Sequence, residues 1–162
     1  MRETIRGYTL IEMLVYGTIL MIFMTVMTMI FSTLIEMQLS SESSASVAQD
    51  GRYLFSRLAY DIHRAGAIVT PAAIGGQSSV LELTINGQTY HYAVTDGNLM
   101  LTTPNGSAQL NSIGTTVPDL LFRRYGSDET KHSISVSFTL ESTTSNIVKK
   151  ETRDFQTTIT LR

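Results

Sequence analysis

Twenty-three consecutive residues, Met13 to Ile35, separate Glu12 from Glu36 without one charged side chain. As a helix rising about 1.5 Å per residue, that run would extend roughly 35 Å, enough to cross a hydrocarbon core about 30 Å thick. Such a segment requires lipid or an equally apolar protein surrounding. Its mild polar breaks, Thr18, Thr25, Thr28, Ser32 and Thr33, are hydroxyls able to bond back to their own helix. Five methionines (Met13, Met21, Met24, Met27 and Met29) give it an adaptable surface, suited to several neighbours or to lipid. Arg2 and Arg6 precede the run and the next basic residue is Arg52, so the positive-inside rule places the N-terminus in the cytoplasm and exports the rest.

Beyond the run the pattern becomes amphipathic. From Glu36 to about Ala65, Leu39, Val47, Leu54, Phe55, Leu58 and Ile62 recur at roughly three, four or seven residues, with Arg52, Arg57 and Arg64 elsewhere, which predicts a continuation of the same helix. Serine competes for backbone bonds, so Ser40 to Ser46 is where a kink or frayed turn is expected. Gly66 is the expected stop.

After a loop rich in small residues (Pro71, Gly75, Gly76, Ser78, Ser79) the period changes to two. Val80–Ile85, Gln88–Thr95 and Leu99–Thr103 read as three strands joined at Asn86-Gly87 and Asp96-Gly97-Asn98, dipeptides that supply positive φ cheaply. Ile134, Val136, Phe138 and Leu140 alternate with serines and Thr139, and Phe155, Ile159 and Leu161 alternate with polar neighbours, as half-buried strands do. Val117–Tyr125 is expected to be another strand. The aromatics of these strands are read as core.

Composition narrows the chemistry. A formal net charge of -2 gives no basic footprint for phosphate backbones, so no direct nucleic-acid partner is expected. With no cysteine, thiolate metal sites and disulfides are excluded. His63, His91 and His132 are remote from one another, with no pair at helix-face spacing, and no metal or cofactor is assigned. The chain contains no phosphate loop, nucleophile elbow or convincing carboxylate pair, so no catalytic residue is named and an enzyme is not expected.

At the head of the apolar run stands Gly7-Tyr8-Thr9-Leu10-Ile11-Glu12, which resembles the Gly-Phe-Thr-Leu-Ile-Glu signature of type IV prepilins and type II secretion pseudopilins. The resemblance implies cleavage after Gly7 by a prepilin peptidase, methylation of the new amino terminus on Tyr8, and an assembly role for Glu12. In that family the glutamate meets the amino terminus of a neighbouring subunit inside the filament. Two departures stand: Tyr8 replaces the usual Phe, and Met29 occupies a place where many major pilins carry a helix-breaking proline. The stretch Arg52 to Gly66 (RYLFSRLAYDIHRAG), and less specifically the ending Phe155 to Arg162, is similar to PilW-like minor pilins and J-type minor pseudopilins.

The expected fold is α+β: a long N-terminal helix, membrane-spanning in its first half and amphipathic in its second, packed on a C-terminal antiparallel sheet head. The expected segments are a cleavable leader (1–7), a membrane or filament-core helix (8–35), its amphipathic continuation (36–66) and a β-rich head (67–162). The resemblance implies a structural subunit of a type IV pilus or pseudopilus, a minor, initiating or tip-proximal one. It would be stored in the inner membrane and then join a periplasmic or extracellular filament. The implied partners are other pilin or pseudopilin subunits, the prepilin peptidase, an inner-membrane assembly platform and the lipid bilayer. The rivals are a signal-anchored membrane protein whose exported β domain binds a ligand or partner and never forms filaments, and a secreted domain released by ordinary signal peptidase near Ser46-Val47-Ala48, against which the length of the apolar run speaks.

Overall fold

The computed structural model describes residues 9–128, 131–143 and 150–161. Its first element is a 55-residue helix, α1 (Leu10–Arg64). No proline interrupts it, and all three prolines lie later in the chain. Two compact units divide at Leu39/Ser40, so the head begins within the helix and comprises Ser40–Arg162.

In the head, α1 buries one stripe: Val47, Leu54, Leu58 and Ile62 are 0% exposed, at the spacing the sequence shows. Each such aliphatic side chain contributes on the order of 1.5–3 kcal/mol by leaving water. The Ser40–Ser46 stretch is helical throughout. Burial of Ser43 and Val47 holds that turn against serine's preference for other backbone partners.

Among the described residues ten strands follow: β1 (Ala67–Thr70), β2 (Gln77–Ser78), β3 (Leu81–Ile85), β4 (Gln88–Thr95), β5 (Asn98–Thr103), β6 (Gly106–Gln109), β7 (Thr115–Thr116), β8 (Leu120–Asp128), β9 (Lys131–Ser142) and β10 (Thr152–Thr160). They form two antiparallel sheets, one ordered β1-β3-β4-β5-β6 and the other β10-β9-β8-β2, with β7 also paired to β9. The meander β3-β4-β5 turns at Asn86-Gly87 (φ 52° and 76°) and at Asp96-Gly97 (φ 51° and 74°). These left-handed pairs match the twist of the strands they join. Leu81, Leu83 and Ile85 point inward from the first sheet, and Phe122, Ile134, Val136, Phe138 and Leu140 from the second.

Helix and second sheet meet through an aromatic cluster. Phe55 lies 5.0 Å from Phe138 and 5.8 Å from Phe155, ring centre to ring centre, and Phe138 stacks on Phe155 at 5.3 Å. Gly51 permits this approach, since a Cβ there would sit 2.3 Å from the Phe155 ring. Gly66 lies just past the end of the helix, as expected of a stop residue, and also starts the sheet. The helix ends at Arg64, and the Gly66 amide donates to the Thr84 carbonyl at 2.8 Å, feeding the chain into β1.

Two buried carboxylates fasten α1 to the head. Asp50 Oδ2 accepts from the Ser112 amide (2.9 Å), the Ser112 hydroxyl (2.7 Å) and the Thr115 hydroxyl. Asp61, 0% exposed, accepts from the Tyr92 hydroxyl and pairs with Arg57 Nε at 3.0 Å. Burial, reinforced by the bond to Asp61, pushes the Tyr92 pKa well up. Arg57, whose partial burial opposes its charge, is held above its ordinary value by Asp61 and then Tyr92.

The sign of the tyrosine effect fixes a pH window. An unfolded tyrosine loses its proton near pH 10, whereas folded Tyr92 keeps it, so the folded state binds more protons above about pH 10. The stability Tyr92 contributes is fully present below that pH and declines as pH rises. Thermal melts should therefore shift downward between about pH 9 and 11 by more in the wild type than in Tyr92→Phe. Equal shifts in the two proteins would refute the assignment.

The division at Leu39/Ser40 carries another expected outcome. A fragment beginning at Ser40 retains the whole buried stripe of α1 and both sheets, and should be a soluble, folded, β-rich monomer by circular dichroism and sedimentation. Aggregation or molten spectra would mean that the preceding helix contributes to the head core.

Candidate membrane and assembly segment

The first unit of α1 exposes apolar surface on all sides. From Leu10 to Met37 its large apolar side chains remain uncovered, with Leu10 at 82% and Met21 at 73% exposure. An 18-residue window within α1 reaches a mean hydropathy of 2.2 and buries nothing, so the helix is long and apolar enough for a single membrane span near the N-terminus. Its polar breaks are internally satisfied. Thr18, Thr25, Thr28, Ser32 and Thr33 each donate a hydroxyl to the carbonyl four residues back, at 2.8–3.0 Å. None of the five therefore presents an unpaired donor to lipid.

Glu12 sits in the first turn, where the free amides of the helix start favour negative charge. It is also half of a reciprocal cap. The Thr9 amide donates to Glu12 Oε2 at 3.5 Å, and the Glu12 amide donates to Thr9 Oγ1 at 3.4 Å. The Tyr16 hydroxyl, one turn along, donates to Glu12 Oε1 at 3.1 Å. Each carboxylate oxygen thus has a donor from its own chain, which lowers the cost of holding it at the boundary of an apolar segment. Sequence reading placed Glu12 at the helix start but missed both partners. The Thr-x-x-Glu spacing of Thr9 and Glu12 was the available signal for the cap, and i,i+4 spacing the signal for Tyr16. Gly7 and Tyr8, the expected processing residues, lie outside the described residues.

The Arg52–Gly66 stretch gains a physical account. Leu54, Leu58 and Ile62 are core, and Asp61 holds Arg57 and Tyr92. Arg52, Tyr53, Tyr60, His63 and Arg64 face solvent, with the Arg64 guanidinium 4.8 Å from the Tyr60 ring centre. Among the described residues no group of three His, Asp or Glu side chains is placed to hold a metal ion. His91 lies 4.0 Å from Glu82, far along the chain from His63 and His132. The chain matches no family model, no curated protein and no solved structure.

Proposed function

We propose that this chain is a structural subunit of a type IV pilus or related pseudopilus, a minor, initiating or tip-proximal one, processed between Gly7 and Tyr8 and stored in the inner membrane. The observation that carries this reading is the pairing of an uncovered apolar helix with one capped carboxylate at its start. Lipid alone would cover the apolar surface. In a plain anchor such a carboxylate would serve only to cap its own helix, at a cost in membrane residence. In a bundle of such helices it gives a positively charged amino terminus a partner in apolar surroundings, and the charge selects the register at which a new subunit docks. The resemblance at Gly7 to Glu12 points the same way.

Processing would occur on the cytoplasmic face, where Arg2 and Arg6 hold the leader, and the head would be exported. Other pilin or pseudopilin subunits, the peptidase and an assembly platform in the inner membrane are the partners of this reading. The alternative is a signal-anchored protein with an exported binding domain. Fractionation separates them: sheared extracellular or periplasmic filaments should contain the chain, whereas recovery in the inner membrane alone, under conditions where filaments form, would favour the anchor.

A further inference from the structure

The head presents two charged faces that point away from each other. On the solvent side of α1, Arg52, Tyr53, Tyr60, His63 and Arg64 form an exposed stripe without a single exposed carboxylate, because Asp50 and Asp61 are turned inward. Neither Arg52 nor Arg64 has an ion-pair partner among the described residues. On the solvent side of the second sheet, Asp119, Leu121, Ser137, Thr139, Asp154 and Gln156 line a shallow concavity of about 600 Å³. Thr139 donates to Asp154 at 2.7 Å, and Asp119 and Asp154 are exposed and unpaired with any cation among the described residues. The helix covers the inner side of this sheet through Phe55, Phe138 and Phe155, so the two faces lie on opposite sides of the head.

We propose that the arginine-tyrosine face of α1 in one copy docks into the acidic, hydroxyl-lined face of the second sheet in another copy of this chain, head to tail. Charge complementarity selects the occupant, since the helix stripe offers the unpaired cations Arg52 and Arg64 and the concavity of the sheet the unpaired carboxylates Asp119 and Asp154. Arginine and tyrosine are the side chains that interface centres favour, and Arg pairs well with carboxylates. Joining unlike faces leaves one of each free, so copies add in a row rather than closing as a two-fold dimer. This goes beyond the filament reading, because it uses only the head's charges and holds or fails whether or not the N-terminal helix enters a filament.

The chain has no cysteine, which makes the test direct. Full-length Ser56→Cys and Gln156→Cys proteins, differently tagged and mixed in detergent micelles, should form a mixed disulfide on oxidation in preference to either same-variant product. Arg52→Glu in the first should lower the mixed yield about fivefold, and Asp154→Arg in the second should restore it, as an exchanged ion pair worth up to about 1 kcal/mol would. Circular dichroism of each variant confirms that the head stays folded. Predominant Ser56→Cys self-products would show like faces meeting, and would overturn the proposal. So would a mixed yield no higher than that of a Thr102→Cys control on the first sheet, or a yield indifferent to both charge reversals.

Discussion

Asp50→Ala should lower the stability of the head by about 3 kcal/mol or more, a fall in melting temperature of roughly 10 °C or more. The substitution has gains as well as losses. Alanine is the better helix former by about half a kcal/mol, and a partly desolvated charge disappears. Against this, one oxygen of Asp50 accepts three hydrogen bonds, and the Thr115 hydroxyl is left buried without it. Bonds to a charged acceptor are worth about 1.5–3 kcal/mol each, and a buried donor left unpaired adds its own penalty, so the loss prevails. Asp50→Asn keeps an acceptor oxygen and should lie between wild type and alanine. Thermal unfolding by near-ultraviolet circular dichroism reads both. An alanine variant within about 1 kcal/mol of wild type would mean that the loop around Ser112 finds other partners.

Glu12→Ala should leave membrane insertion intact and deplete the chain from filaments by about two orders of magnitude. Removing the carboxylate makes the apolar segment cheaper to hold in lipid, so an anchor would be unharmed or improved. A filament subunit loses the partner of a neighbour's amino terminus in apolar surroundings, and breaking such a pair from one side costs about 3–5 kcal/mol. The alanine variant also loses the reciprocal cap with Thr9, a term of about 1 kcal/mol that a membrane-embedded helix tolerates. The ratio of the variant in sheared filaments to that in membranes, against wild type, measures the effect. Wild-type incorporation would make Glu12 a boundary residue and nothing more.

The parts of this fold legible in the sequence are those with strong periodicity or special backbone needs. α1, the β3-β4-β5 meander and the alternation of β9 and β10 follow from apolar spacing and from Asn86-Gly87 and Asp96-Gly97. β8 begins at Leu120 rather than Val117, because Pro118 has no amide to give a ladder. Illegible were elements made by pairing alone. All four residues of β6, Gly106–Gln109, are exposed, small or polar, and it is a strand because β5 offers an open edge. β1 and β2 lie in what reads as a small-residue loop, and their partners β3 and β8 supply the order. The division into two sheets was likewise hidden. The contacts fastening α1 to the head join Asp50 to Ser112 and Thr115, and Asp61 to Tyr92, across separations of 62, 65 and 31 residues that no local pattern encodes. At the N-terminus the reverse holds, since the cap of Glu12 is local and the apolar run declares itself.

The N-terminal peptide of the chain, isolated from cells that carry the assembly machinery and analysed by mass spectrometry, tests the proposed function most directly. The mature protein is expected to begin at Tyr8 with a methylated amine. An intact Met1 terminus, or a cut near Ala48 that removes the apolar run, would contradict it.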